Sequence, residues 1–566
     1  MCSLYNMGPV AEHEGSYPPI SGELPVKAEC LPFARIPHTS QLFLDFLSFS
    51  PKVQPFYPRS PQFSEWVQQE TLSQRYDADR RQRVCDTLDR QNRQWDASGK
   101  TLVNIGRLRG GASVVVTGQQ VGLFGGPLFS LLKALTAVKL AEEATAAGID
   151  TIPVFWLATI DHDLAEVNHA SIAAADAALH TIATPSHGIE DAPVGTVTFG
   201  PEIEAAVQSA VDLLGATNAT KLLRETYRQG ETLGSSFARM FARLFAEWGV
   251  ILIDPSEAAF HAVAAPIYRR ALEQAVELDE SLLARGKELE AAGYHQQVKV
   301  TPSSTLLFTL LDGARVPIHR RTNGRTNEVE FLIREERLSR QQLLDRITAG
   351  PHNFSPNVLL RPVVQDYLLP TLAYTGGAAE VAYFAQAGVV YDKLLGHVTP
   401  IVPRFSATIV EAKPKALLDR YGLELPDTFQ GEEALKEKLA ASILPPELQN
   451  AFDSADTNLQ SSLTQIRDAL ARLDKTLVDA ADNAGSKMQH QLESLRAKAA
   501  RAELRQSELA ARHAQQLSNL LFPGKALQER GIAAIYFVSR FGPEFLTTLY
   551  ANLHTDCHDH QVMMLN

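Results

Sequence analysis

The sequence predicts an α/β fold built on a parallel sheet, with inserted α+β segments and an antiparallel helical coiled-coil arm. Two β-rich runs, SVVVTGQQ from residue 113 and TIPVFWLATI from residue 151, flank an amphipathic helix at the spacing of a βαβ unit. Short alternating strands follow between residues 296 and 334, and leucines later recur at coiled-coil spacing. These observations separate a core, an insert and an arm.

Composition limits the classes of partner. The chain has 566 residues, enough for two or three domains, and a formal charge of −12 from 53 basic and 65 acidic residues. That balance argues against broad binding to nucleic acid or to an anionic membrane, and no window is long and apolar enough to span one. The four cysteines form no CxxC pair, and no basic flank precedes an apolar run at the N-terminus. We therefore expect a cytoplasmic protein with small-molecule partners.

Five regions are expected in chain order. Residues 60–100 are polar and heptad-like, which indicates helices on the outside of a core. Strand-to-helix signals recur near residues 248–267, 368–386 and 396–411, and Ser339 is placed to cap a helix of the insert. The regions are the first part of the core (1–175), inserted helical and α+β connecting segments (176–350), the second part of the core (351–426), the coiled-coil arm (427–521) and a C-terminal segment that returns to the core (522–566).

The arm is predicted from a heptad seam. Its apolar residues step by four and three positions, at Leu459, Leu463, Ile466, Leu470, Leu473 and Leu477. Asn483 and Gly485 suit a turn, so we expect two antiparallel helices of roughly 35 residues, each about 50 Å long. A protrusion of that length needs a partner surface, and a second copy of the chain is the expected partner.

The first candidate site is the glycine-rich turn between the first core strand and its helix. Pro127 suits the first helical position, and the glycines before it let backbone N–H groups approach a ligand. Ser130 and Lys133 fall opposite the apolar stripe, near a helix N-terminus that favours phosphate or carboxylate. The turn matches neither the dinucleotide-binding nor the P-loop pattern, and a purely structural turn is the alternative. The candidate binding residues are Thr117, Gln119, Gln120, Gly122, Gly125, Gly126 and Ser130, with Lys133 as a catalytic candidate.

Polar residues crowd the end of the next strand. Asp161, His162 and Asp163 follow it, and the carboxyl ends of parallel strands face the crevice where α/β sheets bind ligands. Carboxylates there are suited to orient an amine or to take its proton. If the segment is helical, His162, Glu166 and His169 share one face and form a candidate metal set, although the spacing matches no zinc consensus. Asn168 and His169 are further candidate binding residues.

A second strand-to-helix junction repeats the paired glycines. The candidate binding residues around it are Arg361, Gln365, Asp366, Tyr374, Gly376, Gly377, Glu380 and Tyr383. A site lined by both junctions can hold a polyanionic ligand at one and a cationic group at the other. Glu380 in a first helical turn is also favourable through the helix dipole alone, and Arg404 is either a third anion contact or a surface charge.

The C-terminal tail concentrates residue types that ligate metals. They are His554, Cys557, His558, Asp559 and His560. Adjacent residues point to different sides of a chain and chain ends are often poorly ordered, so composition alone does not establish a metal site.

Five motifs together carry a resemblance to a known family. They are VVTGQQVGLFGGPLFSLLKA, PVFWLATIDHDLAEVNH, GYHQQVKV, FSPNVLLRPVVQDYLLPTLAYTGGAAEVAYFAQ and LLFPGKALQERGI, in this order along the chain. The chain resembles the BshC family of cysteine ligases in bacillithiol biosynthesis. The resemblance implies a Rossmann-like core with connecting segments, a coiled-coil arm that forms a homodimer, and the last-step joining of L-cysteine to the amine of glucosaminyl malate.

Amide formation in water needs an activated carboxylate, so this activity implies ATP, with Mg²⁺ accompanying the nucleotide and no other metal cofactor. On this interpretation the turn from Gly122 to Lys133 receives phosphate or malate oxygens, and residues 161–163 orient the amine. The residues that complete the crevice or contact the nucleotide where the arm returns are Arg361, Glu380, Tyr383, Gln528 and Arg530.

Two other classes of function stay open. A noncatalytic scaffold that binds a nucleotide or metabolite and organises a partner enzyme through its coiled coil also predicts ligand binding and dimers. A metal-dependent hydrolase would use His162, Glu166 and His169. Turnover distinguishes the scaffold from the ligase, and elemental analysis tests the hydrolase.

Overall fold

A computed structural model describes residues 26–69, 76–185, 188–322, 329–442, 446–506 and 508–565, and Cys2 lies outside these ranges. The strands are β1 Val26–Leu31, β2 Ser113–Gln119, β3 Thr151–Leu157, β4 His169–Ala173, β5 Leu179–Ala183, β6 Ile251–Ile253, β7 Ser304–Leu311, β8 Ala314–Thr322, β9 Val329–Ile333, β10 Glu336–Ser339, β11 Phe354–Pro356, β12 Thr371–Gly376, β13 Ile401–Pro403, β14 Ala407–Glu411 and β15 His560–Leu565.

The α-helices cover both faces of the core and form the arm. They are α1 Gln41–Leu47, α2 Phe63–Trp66, α3 Ala78–Gln94, α4 Gly99–Gly110, α5 Phe129–Ala146, α6 Leu164–Val167, α7 Glu202–Leu214, α8 Asn218–Thr226, α9 Leu233–Leu244, α10 Ala258–Glu273, α11 Ala275–Ala291, α12 Arg340–Ala349, α13 Arg361–Leu368, α14 Ala378–Leu395, α15 Ala412–Tyr421, α16 Leu425–Thr428, α17 Glu432–Ser442, α18 Pro446–Leu473, α19 Val478–Gln506, α20 Glu508–Leu521, α21 Gln528–Gly531, α22 Ala534–Phe541 and α23 Glu544–Ala551. Within the described ranges, none of these helices has the length and apolar character needed to cross a membrane.

The central sheet is parallel, as predicted. Its strand order is β13-β12-β2-β3-β6, and every neighbouring pair runs in the same direction. Both faces are covered, because Phe155 and Leu157 pack in one hydrophobic cluster while Val154 and Trp156 pack in another. Strands buried on both faces read as continuous apolar runs, which explains sequences such as SVVV and TIPVFWL. Strand β6 lies inside the range expected as an insert, yet it pairs with β3 in the core sheet.

The predicted inserted lobe contains a five-stranded antiparallel sheet. Its order is β10-β9-β8-β7-β11, and the alternating burial along β8 matches a sheet with one covered face. Ser339 accepts from the backbone N–H of Gln342, whose side chain accepts from the Ser339 backbone. This capping box confirms that Ser339 starts helix α12.

A three-stranded sheet joins the two ends of the described chain. Its order is β1-β15-β14, with β15 antiparallel to β1 and parallel to β14. His560 is fully buried there, with Ser406 Oγ and Thr408 Oγ1 each 2.8 Å from one of its ring nitrogens. Burial lowers the pKa of His560 to about 4, so its ring is neutral. Of the tail residues with metal-ligating side chains, His560 thus belongs to the central strand of a sheet, whereas His554, Cys557, His558 and Asp559 lie in the loop before it.

The arm is the predicted antiparallel pair, but its turn lies earlier than expected. Helices α18 and α19 have 28 and 29 residues and meet at Asp474, whose carboxylate accepts from the Thr476 backbone N–H at 2.9 Å. Gly485 lies inside α19, where an added Cβ would be 3.1 Å from Leu463 Cδ1. The glycine therefore allows the two helices to approach closely, and the expectation of a turn at Asn483 and Gly485 is wrong.

Candidate active site

One cavity of about 700 Å³ lies at the carboxyl ends of β2, β3 and β12. The parallel register brings these strand ends together, as expected for ligand sites in α/β sheets. Strand β8 and the turn before β7 close the opposite side. The predicted residues that line this cavity are Gln119, Gln120, Lys133, Asp161, Arg361, Tyr374, Gly377, Glu380, Tyr383, Arg404 and Arg530.

The glycines of the first turn, Gly122, Gly125 and Gly126, do not line the cavity. The Gly125 N–H donates to Tyr227 Oη at 3.0 Å and the Gly126 N–H to Leu123 O at 3.0 Å. Positive φ angles of 88° and 69° at these two glycines explain why glycine is needed. Because the amides already have protein partners, the expectation that this turn receives an anion is corrected. Five predicted binding residues are buried away from the cavity lining: Thr117, Gly122, Gly125, Gly126 and Ser130.

Lys133 is the residue of this segment that reaches the cavity. It is 4 % exposed, because α5 is buried on nearly every side, and it does not stand on a free polar face. Its ammonium donates to Gly118 O at 2.8 Å and Gln119 Oε1 at 2.9 Å, and lies 2.8 Å from Glu380 Oε2. Burial lowers the pKa of Lys133 to about 8.

Glu380 is held in place by the second glycine junction. Its carboxylate accepts from the Gly377 N–H at 2.7 Å and from the Tyr374 hydroxyl at 2.6 Å. A Cβ on Gly376 would lie 2.8 Å from Glu380 Cβ, so glycine is required for the side chain to fold back. Burial alone would raise the pKa of Glu380, but the Lys133 ammonium and these donors hold it below its ordinary value.

Cationic side chains dominate this end of the cavity, which we call the cationic wall. It comprises four cations and two carboxylates, namely Lys133, Arg361, Arg404, Arg530, Glu380 and Glu529. The wall thus carries an excess of two positive charges at neutral pH. Burial is the main cause of the lowered pKa of Lys133, and Arg404 and Arg361 add to it. The pKa of Glu380 is lowered instead by the Lys133 ammonium and by the donors Tyr374 and Gly377.

Phe129 is the centre around which the wall is arranged. Lys133, Arg404 and Arg530 lie 5.6, 5.3 and 5.5 Å from its ring centroid. Arg404 is paired with Glu529 at 2.5 Å, whereas the Arg530 guanidinium has no hydrogen bond or ion pair to any residue that the structure describes. Arg530 is therefore the guanidinium of the wall that is free to meet an anion.

A pair of carboxylates also lines the cavity. Gln120 Nε2 donates to Asp161 Oδ2 at 2.8 Å and to Glu166 Oε2 at 2.9 Å, so one amide positions both acids. Both carboxylates line the cavity. Two carboxylates in one place suit an ammonium group and its proton. Glu166 was considered only as a metal ligand from the sequence, and the structure places it beside Asp161 instead.

Several predicted residues have local structural roles. Asp163 caps α6 by accepting from the Glu166 N–H at 3.2 Å, and it is exposed outside the cavity lining. Asn168 follows α6 as its cap, and His169 Nδ1 lies 3.1 Å from Ala165 O. His162 Nδ1 accepts from Arg315 Nη1 at 3.2 Å, beside the cavity. These positions do not form the expected catalytic group around the amine.

Three more predicted residues are buried in hydrogen-bond networks. Gln528 accepts from the Ile409 N–H at 2.7 Å and donates to Ile409 O at 2.8 Å, which secures β14. Gln365 accepts from Arg361 at 3.0 Å and donates to Asp366 at 3.0 Å. Burial raises the pKa of Asp366. The structure therefore assigns them to support of the fold around the site.

The two candidate metal sets are not assembled. Helix α6 spans only Leu164–Val167, so His162, Glu166 and His169 do not share a helical face. Within the described ranges, no three His, Cys, Asp or Glu side chains are grouped as metal ligands.

The sequence analysis did not identify the cavity residues that the inserted lobe contributes. Arg315, Pro317 and His319 of β8 all line the cavity, as alternate residues on one face of a strand. Arg315 donates to Pro356 O at 2.7 Å and to Ser355 Oγ at 3.1 Å, and burial lowers its pKa to about 10. The period-two pattern in ARVPIHR was the signal that could have placed these residues together.

Comparison with known proteins identifies the family. Residues 26–405 match the domain described as "Bacillithiol biosynthesis BshC, N-terminal Rossmann-like domain", and residues 407–565 match "Bacillithiol biosynthesis BshC, C-terminal coiled-coil domain". A protein of Koribacter versatilis named "Putative cysteine ligase BshC" is 48% identical over 94% of this chain and 99% of its own length. Proteins with the same name from Solibacter usitatus and Salinibacter ruber are 36% and 34% identical, over 95% and 92% of this chain and 99% and 96% of their own lengths. The chain belongs to the BshC family of bacillithiol biosynthesis.

Proposed function

We propose that the protein joins L-cysteine to the amine of glucosaminyl malate, the last step of bacillithiol biosynthesis, with ATP-derived activation of the cysteine carboxylate. Family membership and the name of its relatives support the ligase class. The observation that carries the site assignment is that the cations of the wall and the Asp161 and Glu166 carboxylates line the same cavity.

The cationic wall binds the anionic parts of the substrates. Malate carboxylates and nucleotide phosphates both need positive partners, and guanidinium groups match them with paired donors. Arg530 is available because it has no hydrogen bond or ion pair within the described part of the chain. Arg404 is fixed by Glu529, so its orientation is set before any ligand arrives.

The carboxylate pair binds and deprotonates the substrate amine. Asp161 and Glu166 bind an ammonium group through charge, and one of them takes the proton that must leave before the nitrogen can attack a carbonyl carbon. Gln120 holds both acids at fixed positions. Preorganised groups of this kind lower the barrier because no reorganisation is needed during the reaction.

The lobe keeps water from the reacting carbonyl. Phe308, Ile318 and Leu359 contribute apolar surface to the cavity. Arg315 of the lobe forms an ion pair with Asp161, with Arg315 Nη1 3.8 Å from Asp161 Oδ1. ATP supplies the leaving group that makes the cysteine carboxyl carbon electrophilic. Excluding water favours attack by the amine over hydrolysis of the activated carboxylate.

Turnover tests the proposal. Purified protein is incubated with L-cysteine, glucosaminyl malate, ATP and Mg²⁺, and bacillithiol is measured by mass spectrometry. We expect product only when all components are present, and nucleotide analysis shows whether AMP or ADP accumulates. L-serine in place of cysteine is the matched control. Ligand binding by folded protein without any product would instead favour the noncatalytic scaffold.

We also propose that the arm forms a homodimer. Ile466, Leu473, Met488 and Leu495 are 51%, 78%, 52% and 57% exposed on α18 and α19, so part of the apolar seam predicted from the sequence is not covered within one chain. Exposed apolar side chains along a rod suit a second copy of the same rod. Light scattering with wild type and with Leu473→Glu plus Leu495→Glu tests this, and an unchanged mass would contradict it.

A further inference from the structure

Two cysteines from opposite ends of the chain meet at the surface. Cys30 lies on β1 and Cys557 lies in the loop between α23 and β15, and their sulfur atoms are 3.2 Å apart although 527 positions separate them. The sequence spacing of these two cysteines gives no indication that they form a pair. The contact exists because β1 and β15 are neighbours in one sheet.

The surrounding structure holds both cysteines in place. Strand β1 is fixed by its register with β15, in which Cys30 faces Gln561. On the other side, Gln62 donates to Asp556 O at 3.3 Å and Thr555 donates to Glu143 at 2.5 Å. The loop that carries Cys557 is thus attached on both sides, and the thiols meet in a defined arrangement.

The pair is accessible to small molecules. Cys30 is exposed and Cys557 is half-buried, whereas Cys85 is buried within α3. A disulfide brings two sulfur atoms to about 2.05 Å, so closing the bond requires a movement of only about 1 Å. Thiol–disulfide exchange begins with attack of a thiolate on a disulfide sulfur, so it requires thiols that a small disulfide can reach.

We propose that Cys30 and Cys557 form a reversible intramolecular disulfide by exchange with low-molecular-weight disulfides. One protein thiolate attacks the small disulfide, forms a mixed disulfide and releases one small thiol. The second protein thiol then attacks the mixed disulfide, forms the Cys30–Cys557 bond and releases the other small thiol. Two protein thiols are oxidised and one small disulfide is reduced to two thiols, so electrons and protons balance.

Mass spectrometry of the full-length protein tests the bond. Protein is equilibrated with oxidised glutathione, free thiols are alkylated under denaturing conditions, and proteolytic peptides are mapped. We expect a peptide that links Cys30 to Cys557 and disappears with dithiothreitol. On a non-reducing gel, the oxidised chain should migrate faster because the cross-link spans most of its length. Stable glutathione adducts on both cysteines without a linked peptide would overturn the proposal, as would a link found only between two chains.

Serine variants give matched controls. Cys30→Ser and Cys557→Ser should each carry a stable glutathione adduct on the remaining cysteine of the pair and lack the linked peptide, while Cys85→Ser should form the link as wild type does. Oxidation should raise the melting temperature of wild type by a few degrees and leave Cys30→Ser unchanged, because a cross-link restricts the unfolded chain. These readouts do not depend on ligase activity, so their failure says nothing about the proposed reaction.

Discussion

Replacing Lys133 with methionine removes the ammonium that holds Glu380 in the cationic wall. Lys133 is 4 % exposed, and its ammonium is 2.8 Å from the Glu380 carboxylate. Breaking a buried ion pair by removing one partner costs about 3–5 kcal/mol. Glu380 keeps its donors Tyr374 and Gly377, so we expect the lower end, about 3 kcal/mol. For a cooperative unit of roughly 400 residues this corresponds to a fall of about 3–4 °C in melting temperature.

A double-mutant cycle separates the ion pair from loss of packing. Lys133→Met, Glu380→Gln and the double variant are compared with wild type by urea unfolding. The double variant should be more stable than the sum of the single effects predicts, by about 1–3 kcal/mol, because each single change leaves one charge without its partner. Lys139→Met on the same helix is the control, because the Lys139 ammonium contacts the Tyr550 ring and not Glu380. Additive effects within about 0.5 kcal/mol would refute the reasoning.

Three further predictions concern the same cavity. Burial lowers the pKa of Lys133 to about 8 from 10.5, so between these values the unfolded chain binds more protons than the folded one. The stability of wild type relative to Lys133→Met should therefore rise with pH across this window, and urea unfolding that shows a constant difference would contradict it. Arg530→Met should change the melting temperature by less than about 1 °C yet weaken nucleotide or substrate binding at least about tenfold by calorimetry; unchanged affinity would exclude Arg530 from the site. Asp161→Asn should slow product formation about 100-fold or more, whereas Asp163→Asn, which alters an exposed cap, should slow it less than about threefold; equal losses would contradict the assigned roles.

The parallel sheet and the inserted lobe could be predicted because their signals are local. Apolar runs with the spacing of βαβ units specify buried parallel strands, and alternation specifies a half-covered sheet. The strand-end rule likewise placed Asp161 at the cavity, where the structure has it. These predictions need no information about which distant segment packs against which.

Several of the details that failed depend on distant partners. The glycine turn was expected to offer free amides, but Tyr227, 102 positions away, accepts from the Gly125 N–H. The turn of the arm was placed at Gly485 from local propensity, whereas contact with Leu463 makes that glycine part of a helix interface. Lys133 was expected on the polar face opposite the apolar stripe of its helix. Its burial on a helix packed on nearly every side reverses that expectation.

The pairing of β1 with β15 has a consequence for how the gene could be rearranged. Val26 faces Leu565 in the antiparallel register, so the two ends of the described chain lie side by side. A short linker from residue 565 to residue 26 would join them, and new termini could be opened at the exposed tip of the arm, at Lys475. Such a circular permutant would keep every strand neighbour. The order in which the segments are translated is therefore one of several that specify the same architecture.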